Sequence, residues 1–298
     1  EHRKLAPING LRDKRRIPNS WNDKLHVLHL FDHPRYCEYI LPIEDWQKAV
    51  DLVAGILLKG RALFLRIEPH IRLNSPADQP ASPPSWTPTA SFNPAIHWMV
   101  PLRYLRGTSD LKTEEQILSE MQQKTRYNLR LGERHGVTSR LSIEDRDFDT
   151  FLSLMHETAT RDQFVARDDG YLHKTFFTMA DAGIAKMRLA EYEGQTLAAS
   201  IEVSFGDTVT YLHGASSSSA RDLKAPNVLQ WHAIRDALRN GFCWYDFGGA
   251  NPIDPSHRLY KKSLEGVTRF KEGWGGERIE FVGTFALPRF KFLKRRLQ

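Results

Sequence analysis

Residues 208–249 read TVTYLHGASSSSARDLKAPNVLQWHAIRDALRNGFCWYDFGG, and this stretch decides the fold. Thr208 to His213 is β-branched and aromatic, the composition of a strand. Gly214 to Ala225 is small and polar, the composition of a loop. Pro226 suits the first turn of a helix, where its missing N–H would have no partner anyway. Val228, Leu229, His232, Ala233 and Leu238 then recur at helical spacing, and Gly241 stops the helix. Phe242 to Phe247 is a second short, aromatic strand that ends in Gly248-Gly249. Strand, crossover helix and strand make one βαβ-like unit. Its loop faces a helix N-terminus, where open backbone N–H groups attract anions.

Outward from this unit the chain alternates helices and strands. Upstream, Thr113 with Gln116 forms a capping-box pattern, and Ile117, Leu118, Met121 and Leu129 line the helix that runs to Gly136. Phe148 to Ala159 is a second amphipathic helix. Ala185 to Tyr192 and Leu197 to Phe205 are strands about the turn Glu193-Gly194-Gln195. Downstream, Val267 to Phe270 and Arg278 to Phe285 read as strands. Nearer the start, strands are expected over 25–31, 36–41, 62–67 and 96–102, with a helix over 43–59. Residues 1–24 are a basic, irregular arm. The segment 70–94 carries six prolines, which argues against a helix or a central strand and predicts a mobile surface loop. This order predicts an α/β (α+β) protein with mixed sheets and flanking helices.

At 298 residues the chain has room for two domains and a large core. Its two cysteines, Cys37 and Cys243, sit among aromatic residues and read as buried thiols of a reducing compartment, not as a disulfide framework. No apolar run reaches membrane-spanning length. The net charge is +6, and five of those charges lie in the last ten residues, RFKFLKRRLQ, which hold no acidic group. That basic tail, interleaved with Phe290, Phe292, Leu293 and Leu297, suits peripheral contact with an anionic membrane, contact with RNA, or a plain solvated helix. The scattered histidines have no metal-site spacing, so no metal and no cofactor is expected.

Five stretches, in this order, carry a resemblance: FLRIEP (64–69), MQQKTRYNLRLGERHGV (121–137), RDQFVARDDGY (161–171), the 208–249 unit and GVTRFKEGWGG (266–276). Over residues 60–285 the chain resembles the FemABX family, the peptidoglycan-bridge aminoacyltransferases that use aminoacyl-tRNA. The resemblance implies two GNAT-like lobes: residues 1–104 with 283–298, including the loop 70–94, and residues 105–282. The first lobe is incomplete at its N-terminus relative to the family. The family's Gln-Ser and Trp motif and its substrate-binding lysine have no counterpart before Trp21.

Several residues could carry the chemistry. Lys124, Arg126, Arg130 and Arg134 read as an RNA- or diphosphate-binding row, or as a solvated helix face. Arg167 and Tyr171 lie in a polar turn. By resemblance they match positions that hold the diphosphate of the precursor, and Tyr211 matches a tyrosine of the peptide-stem site. Strand alternation sets Tyr211, His213 and Val209 on one face; His213 is a general base or a core histidine. Ser216 to Ser219 is an anion cradle or a flexible loop. Asp246, between two aromatic residues, is a proton acceptor or the cap of a turn. The pair Phe270-Lys271 is catalytic by resemblance, Lys271 being the residue that stabilises the transition state. Gly273, Gly275 and Gly276 permit close approach by a large ligand.

The expected reaction is direct acyl transfer. A peptidoglycan-precursor amine, on a UDP-linked or lipid-linked acceptor, attacks the ester of aminoacyl-tRNA. No Ser-His-Asp or Cys-His constellation is visible, in keeping with a reaction that needs no covalent enzyme intermediate. The rivals are a GNAT-type enzyme that uses acyl-CoA, whose Gly-rich strand-to-helix turn is missing from GASSSSARDLKAP, and a non-catalytic relative that binds RNA or the cell-wall precursor. The expected setting is cytoplasmic, at the inner face of the membrane where the tail engages it, with the protein monomeric.

Overall fold

The computed structural model describes residues 64–68, 72–73, 87–89, 93–104 and 110–288. The strands expected over 25–31 and 36–41, the helix over 43–59, the basic arm, the basic tail and most of the proline-rich loop lie outside them. Two sheets organise the rest. The smaller holds β1 (Phe64–Ile67) and β2 (Thr87–Thr89) on either side of β10 (Thr284–Pro288), all antiparallel. Pro88 therefore belongs to a strand, although 70–94 was expected to be loop throughout. It is an edge strand, where the missing proline N–H leaves no gap in an inner ladder.

The larger sheet has seven strands in the order β4 (Thr138–Ser142), β5 (Ala185–Tyr192), β6 (Gln195–Phe205), β7 (Thr208–Ser216), β8 (Trp244–Gly249), β3 (Ile96–Pro101), β9 (Glu277–Glu280). Every neighbouring pair is antiparallel except β7 with β8. The long helix α5 (Ala225–Arg239) joins those two, as the 208–249 stretch predicts. Mixed sheets and flanking helices thus agree with the expected α/β class.

Helices cover both faces of the large sheet. On one face α5 packs with α1 (Glu114–Glu120) and α2 (Gln123–Arg134) over Val100, Leu129, Val209, Tyr245 and Trp274. On the other, α3 (Asp145–Asp162) and α4 (Asp169–Asp181) bury Phe148, Phe151 and Phe176 against Met187, Leu189 and Ile201.

Four local expectations need correction. The Thr113–Gly136 helix is two helices, because Met121 and Gln122 are extended. The capping box at Thr113 and Gln116 forms as predicted. At the other end of α1, Arg126 donates to the carbonyls of Leu118, Ser119 and Met121, replacing the hydrogen bonds a continuous helix would make. Residues 267–270 are not a strand but part of α6 (Glu265–Glu272). A helical turn there buries Thr268 and Lys271, which the β-branched and aromatic composition concealed. Arg278 to Phe285 is not one strand: β9 and β10 belong to different sheets, with Gly283 between them at φ +85°. Lastly, the polar turn expected at Arg167 to Tyr171 opens the helix α4, which Asp168 caps by accepting from the Tyr171 N–H and whose buried stripe is Leu172 and Phe176.

Candidate active site

The parallel ladder of β7 and β8 is short. Thr208 to Thr210 pair with Trp244 to Asp246, and the pairing ends there. Beyond it β7 stays on β6 as far as Ser216, while β8 stays on β3. Two irregularities mark the point. Strand β7 holds an extra residue, Leu212, between the pairs Tyr211–Glu202 and His213–Ile201. Between the same two pairs, strand β8 takes three steps, from Asp246 to Gly249, where β3 takes two, from Met99 to His97, and Gly248 absorbs the bulge at φ +71°.

The bulge on β8 brings Asp246 against His97. Asp246 is 2% exposed. Its Oδ2 lies 2.8 Å from His97 Nδ1, and its Oδ1 accepts the Gly248 N–H at 2.7 Å. The other ring nitrogen of His97, Nε2, lies 3.0 Å from the carbonyl of Pro94, and the edge of Phe281 meets the imidazole at a centroid distance of 5.0 Å. The sequence shows His97 only as part of the apolar strand IHWMV. A lone polar residue in such a strand is its one visible signal.

Lys271 stands beside this pair on the last turn of α6. It is 7% exposed, and its ammonium donates to the Gly249 carbonyl at 2.5 Å. Burial lowers its pKa to about 8, and the negative charge of Asp246 works in the opposite direction. Phe270 is half-buried and meets Trp274 edge-on at 6.0 Å. The indole N–H of Trp274, wholly buried, has no acceptor among the described residues. The following glycines make their close approach to protein backbone: a Cβ on Gly276 would sit 2.3 Å from the Met99 carbonyl oxygen.

Lys271, Phe270 and Asp246 thus come together around the ends of β8 and α6. Arg167 and Tyr171 form a second, exposed group, with the guanidinium 5.9 Å from the tyrosine ring centre. Tyr171 lies in the first turn of α4, not in a free turn. His213 belongs with them: burial lowers its pKa, and so does the charge of Arg167. Tyr211 does not share its face, contrary to strand alternation. The extra residue Leu212 turns His213 towards the face of Ile201, whereas Tyr211 stays with Glu202 on the α5 side. There burial pushes the Tyr211 phenol up to about 12, with Glu202 adding to the effect. Its ring fills the space over Gly214, leaving no room there for a Cβ.

The same face of β7 covers a buried polar network. Arg188 pairs with Glu202 at 2.7 Å and with Asp236 at 2.9 Å, and Tyr245 donates to Gln230 at 2.8 Å. Ser217 and Ser218 hold an anion that belongs to the chain itself, for the Glu157 carboxylate accepts the Ser218 N–H and the Ser217 hydroxyl. These bonds, the backbone one foremost, lower the Glu157 pKa.

A surface groove of about 800 Å³ runs along α2, lined by Gln123, Arg126, Tyr127, Arg130, Glu133 and Arg134. Arg130 and Arg134 are exposed, as is the Tyr127 ring one turn before Arg130. Arg126 is committed to capping α1. Lys124 is exposed but lies roughly a quarter-turn round the helix from the groove. No helix among the described residues is long and apolar enough to cross a membrane.

Comparisons with known proteins agree with this architecture. The lipid II:glycine glycyltransferase of Staphylococcus epidermidis is 30% identical over 118 residues, covering 39% of this chain and 27% of the relative. The protein of that name from Staphylococcus aureus is 23% identical over 242 residues, covering 58% of this chain and 56% of the relative. The chain thus spans only about a quarter to a half of these relatives. The crystal structure of FemX superposes with a TM-score of 0.72 at 19% identity, covering 86% of this chain and 80% of FemX. It shares with this chain the fold, and with it the two-lobed arrangement. The sequence model of the FemAB family matches residues 102–195 and 183–295, which together take in both helical faces, β8, His213 and Lys271. The chain belongs to the FemAB family.

Proposed function

We propose that this chain moves an amino acid from aminoacyl-tRNA to an amine of a peptidoglycan-precursor stem peptide, building the bridge between peptides. The reading rests on membership of the FemAB family and on relatives named lipid II:glycine glycyltransferase. The single observation that carries it is Lys271, a buried ammonium that donates to the Gly249 carbonyl beside Asp246.

In this reading the amine attacks the ester carbonyl, a C–N bond forms and the bond to the tRNA ribose oxygen breaks. Negative charge gathers on the carbonyl oxygen. Lys271 exchanges the Gly249 carbonyl for that oxygen and stabilises it, in a site too dry for water to screen the charge. Phe270 keeps the site apolar, and Asp246 serves the proton transfers. Arg167 and Tyr171 hold the precursor's diphosphate, the guanidinium in bidentate contact with phosphate oxygens. Tyr211 lines the stem-peptide side. Lys124, Arg130 and Arg134 contact the RNA; Arg126 supports them by holding α1 against α2. We assign residues 1–104 with 283–298 to one lobe and 105–282 to the other, β3 joining the sheet of the second. The acceptor is lipid-linked, as the relatives' names suggest, and the tail meets the membrane at its cytoplasmic face.

The test is transfer of a radiolabelled amino acid from charged tRNA to lipid-linked precursor by the full-length protein. Transfer that depends on both substrates supports the reading. Acylation from acyl-CoA, or binding of RNA and precursor without turnover, overturns it.

A further inference from the structure

The surroundings of His97 constrain its protons. Nε2 faces the Pro94 carbonyl and Nδ1 faces the Asp246 carboxylate, and both neighbours are acceptors. A neutral imidazole has only one N–H to offer. The geometry is satisfied only if one further proton lies between Nδ1 and Oδ2. Without it, one ring nitrogen would turn a lone pair on an acceptor, either Asp246 Oδ2 at 2.8 Å or the Pro94 carbonyl at 3.0 Å, beside a carboxylate that is 2% exposed. Asp246, read from the sequence as a proton acceptor or the cap of a turn, turns one oxygen to the Gly248 N–H and the other to His97, placed to hold a proton jointly with it. Among the described residues, Lys271 from α6 is a charged neighbour of Asp246. Across from His97 on β9 stands the apolar Ile279, and the Phe281 ring packs against the imidazole. The Gly248 N–H fixes the second carboxylate oxygen.

We propose that His97 is a positioning residue which, through Asp246, makes the pair the general acid of the transfer. The inference rests on the acyl-transfer reading above. As the ester C–O bond breaks, the proton held by the pair passes by way of Asp246 to the departing ribose oxygen. As the C–N bond forms, the proton shed by the attacking amine reloads the pair. No proton is gained or lost overall. The ammonium of Lys271 then stays free to face the oxyanion, because the charge of Asp246 is committed to the imidazole.

The experiment compares wild type, His97→Gln and Asp246→Asn with two acyl donors. One is aminoacyl-tRNA, whose ribose leaving group needs a proton. The other is a p-nitrophenyl aminoacyl ester, whose leaving group needs none. We expect each variant to lose roughly 100-fold or more with aminoacyl-tRNA but only a few-fold with the activated ester. Equal losses with both donors overturn the proposal and make the pair structural. In parallel, nitrogen NMR of the histidine-labelled protein at neutral pH should show protons on both ring nitrogens of His97, with the Nδ1 signal altered in Asp246→Asn. A ring with one protonated nitrogen, unchanged by Asp246→Asn, also overturns it. The NMR result stands apart from turnover. If both ring nitrogens are protonated but the wild type uses neither donor, the acyl-transfer reading fails, and the general-acid role with it, while the proton-holding pair remains.

Discussion

Replacing Lys271 with methionine tests two properties of one buried ammonium. The lysine is held at a pKa of about 8, against an ordinary value of about 10.5, chiefly because burial disfavours its charge. That difference corresponds to about 3 kcal/mol. The folded state has the lowered value, so the direction is set. Below pH 8 the lysine is charged in both folded and unfolded chains, and the fold bears the whole cost. Between about pH 8 and 10.5 the folded protein has lost the proton while the unfolded chain keeps it, so stability rises with pH. Lys271→Met has no such proton. It loses a hydrogen bond to the Gly249 carbonyl worth about 1 kcal/mol, so at pH 7 it should be more stable than wild type by about 1–2 kcal/mol. That advantage should vanish and reverse as the pH approaches 10. The assay is urea unfolding of both proteins at intervals from pH 7 to 10, in which the other lysines cancel. Transfer by Lys271→Met at pH 7 should fall roughly a hundredfold to a thousandfold, the usual effect of removing one oxyanion donor. Parallel stability curves would refute the buried-ammonium argument, and near-normal transfer would refute its role.

Other substitutions separate structure from binding. Arg126→Ala should lower stability by about 1–3 kcal/mol, seen in urea unfolding, because it strips the last carbonyls of α1 of their donor. Arg130→Ala and Arg134→Ala should leave stability within about 0.5 kcal/mol of wild type. Each should flatten the salt dependence of tRNA binding by about one unit of slope, measured by filter binding. Gly214→Ala should cost about 1–3 kcal/mol by driving a Cβ into the Tyr211 ring, and the same change made in a Tyr211→Ala background should cost much less. Arg167→Ala should weaken binding of a diphosphate-bearing precursor by roughly 1.5–3 kcal/mol in calorimetry, with the melting temperature unchanged.

Local periodicity carried most of the fold. The βαβ unit, the capping box at Thr113 and the hairpin about Glu193-Gly194 all depend on residues close together in the chain, and all form. The candidate site was half legible. Lys271 stood out through the family resemblance and Asp246 through its aromatic neighbours, but neither the hydrogen bond to Gly249 nor the pairing with His97, 149 positions from Asp246, has a local signature. The shared face proposed for Tyr211 and His213 failed because an extra residue in β7 reverses the alternation. A bulge is set by the partner strand, and nothing near Leu212 announces it.

The sequence by itself determined the α/β class, the crossover between β7 and β8 and the family resemblance, because hydrophobic period, caps and ordered motifs are written along the chain. Only the tertiary structure decided which polar residues meet. It buried Lys271 beside Asp246, took Arg126 out of the basic row and gave the serine-rich turn to Glu157. The physical reason is desolvation. Once water is removed, each buried donor and acceptor must find a partner wherever the fold offers one, and that partner is seldom a neighbour in sequence.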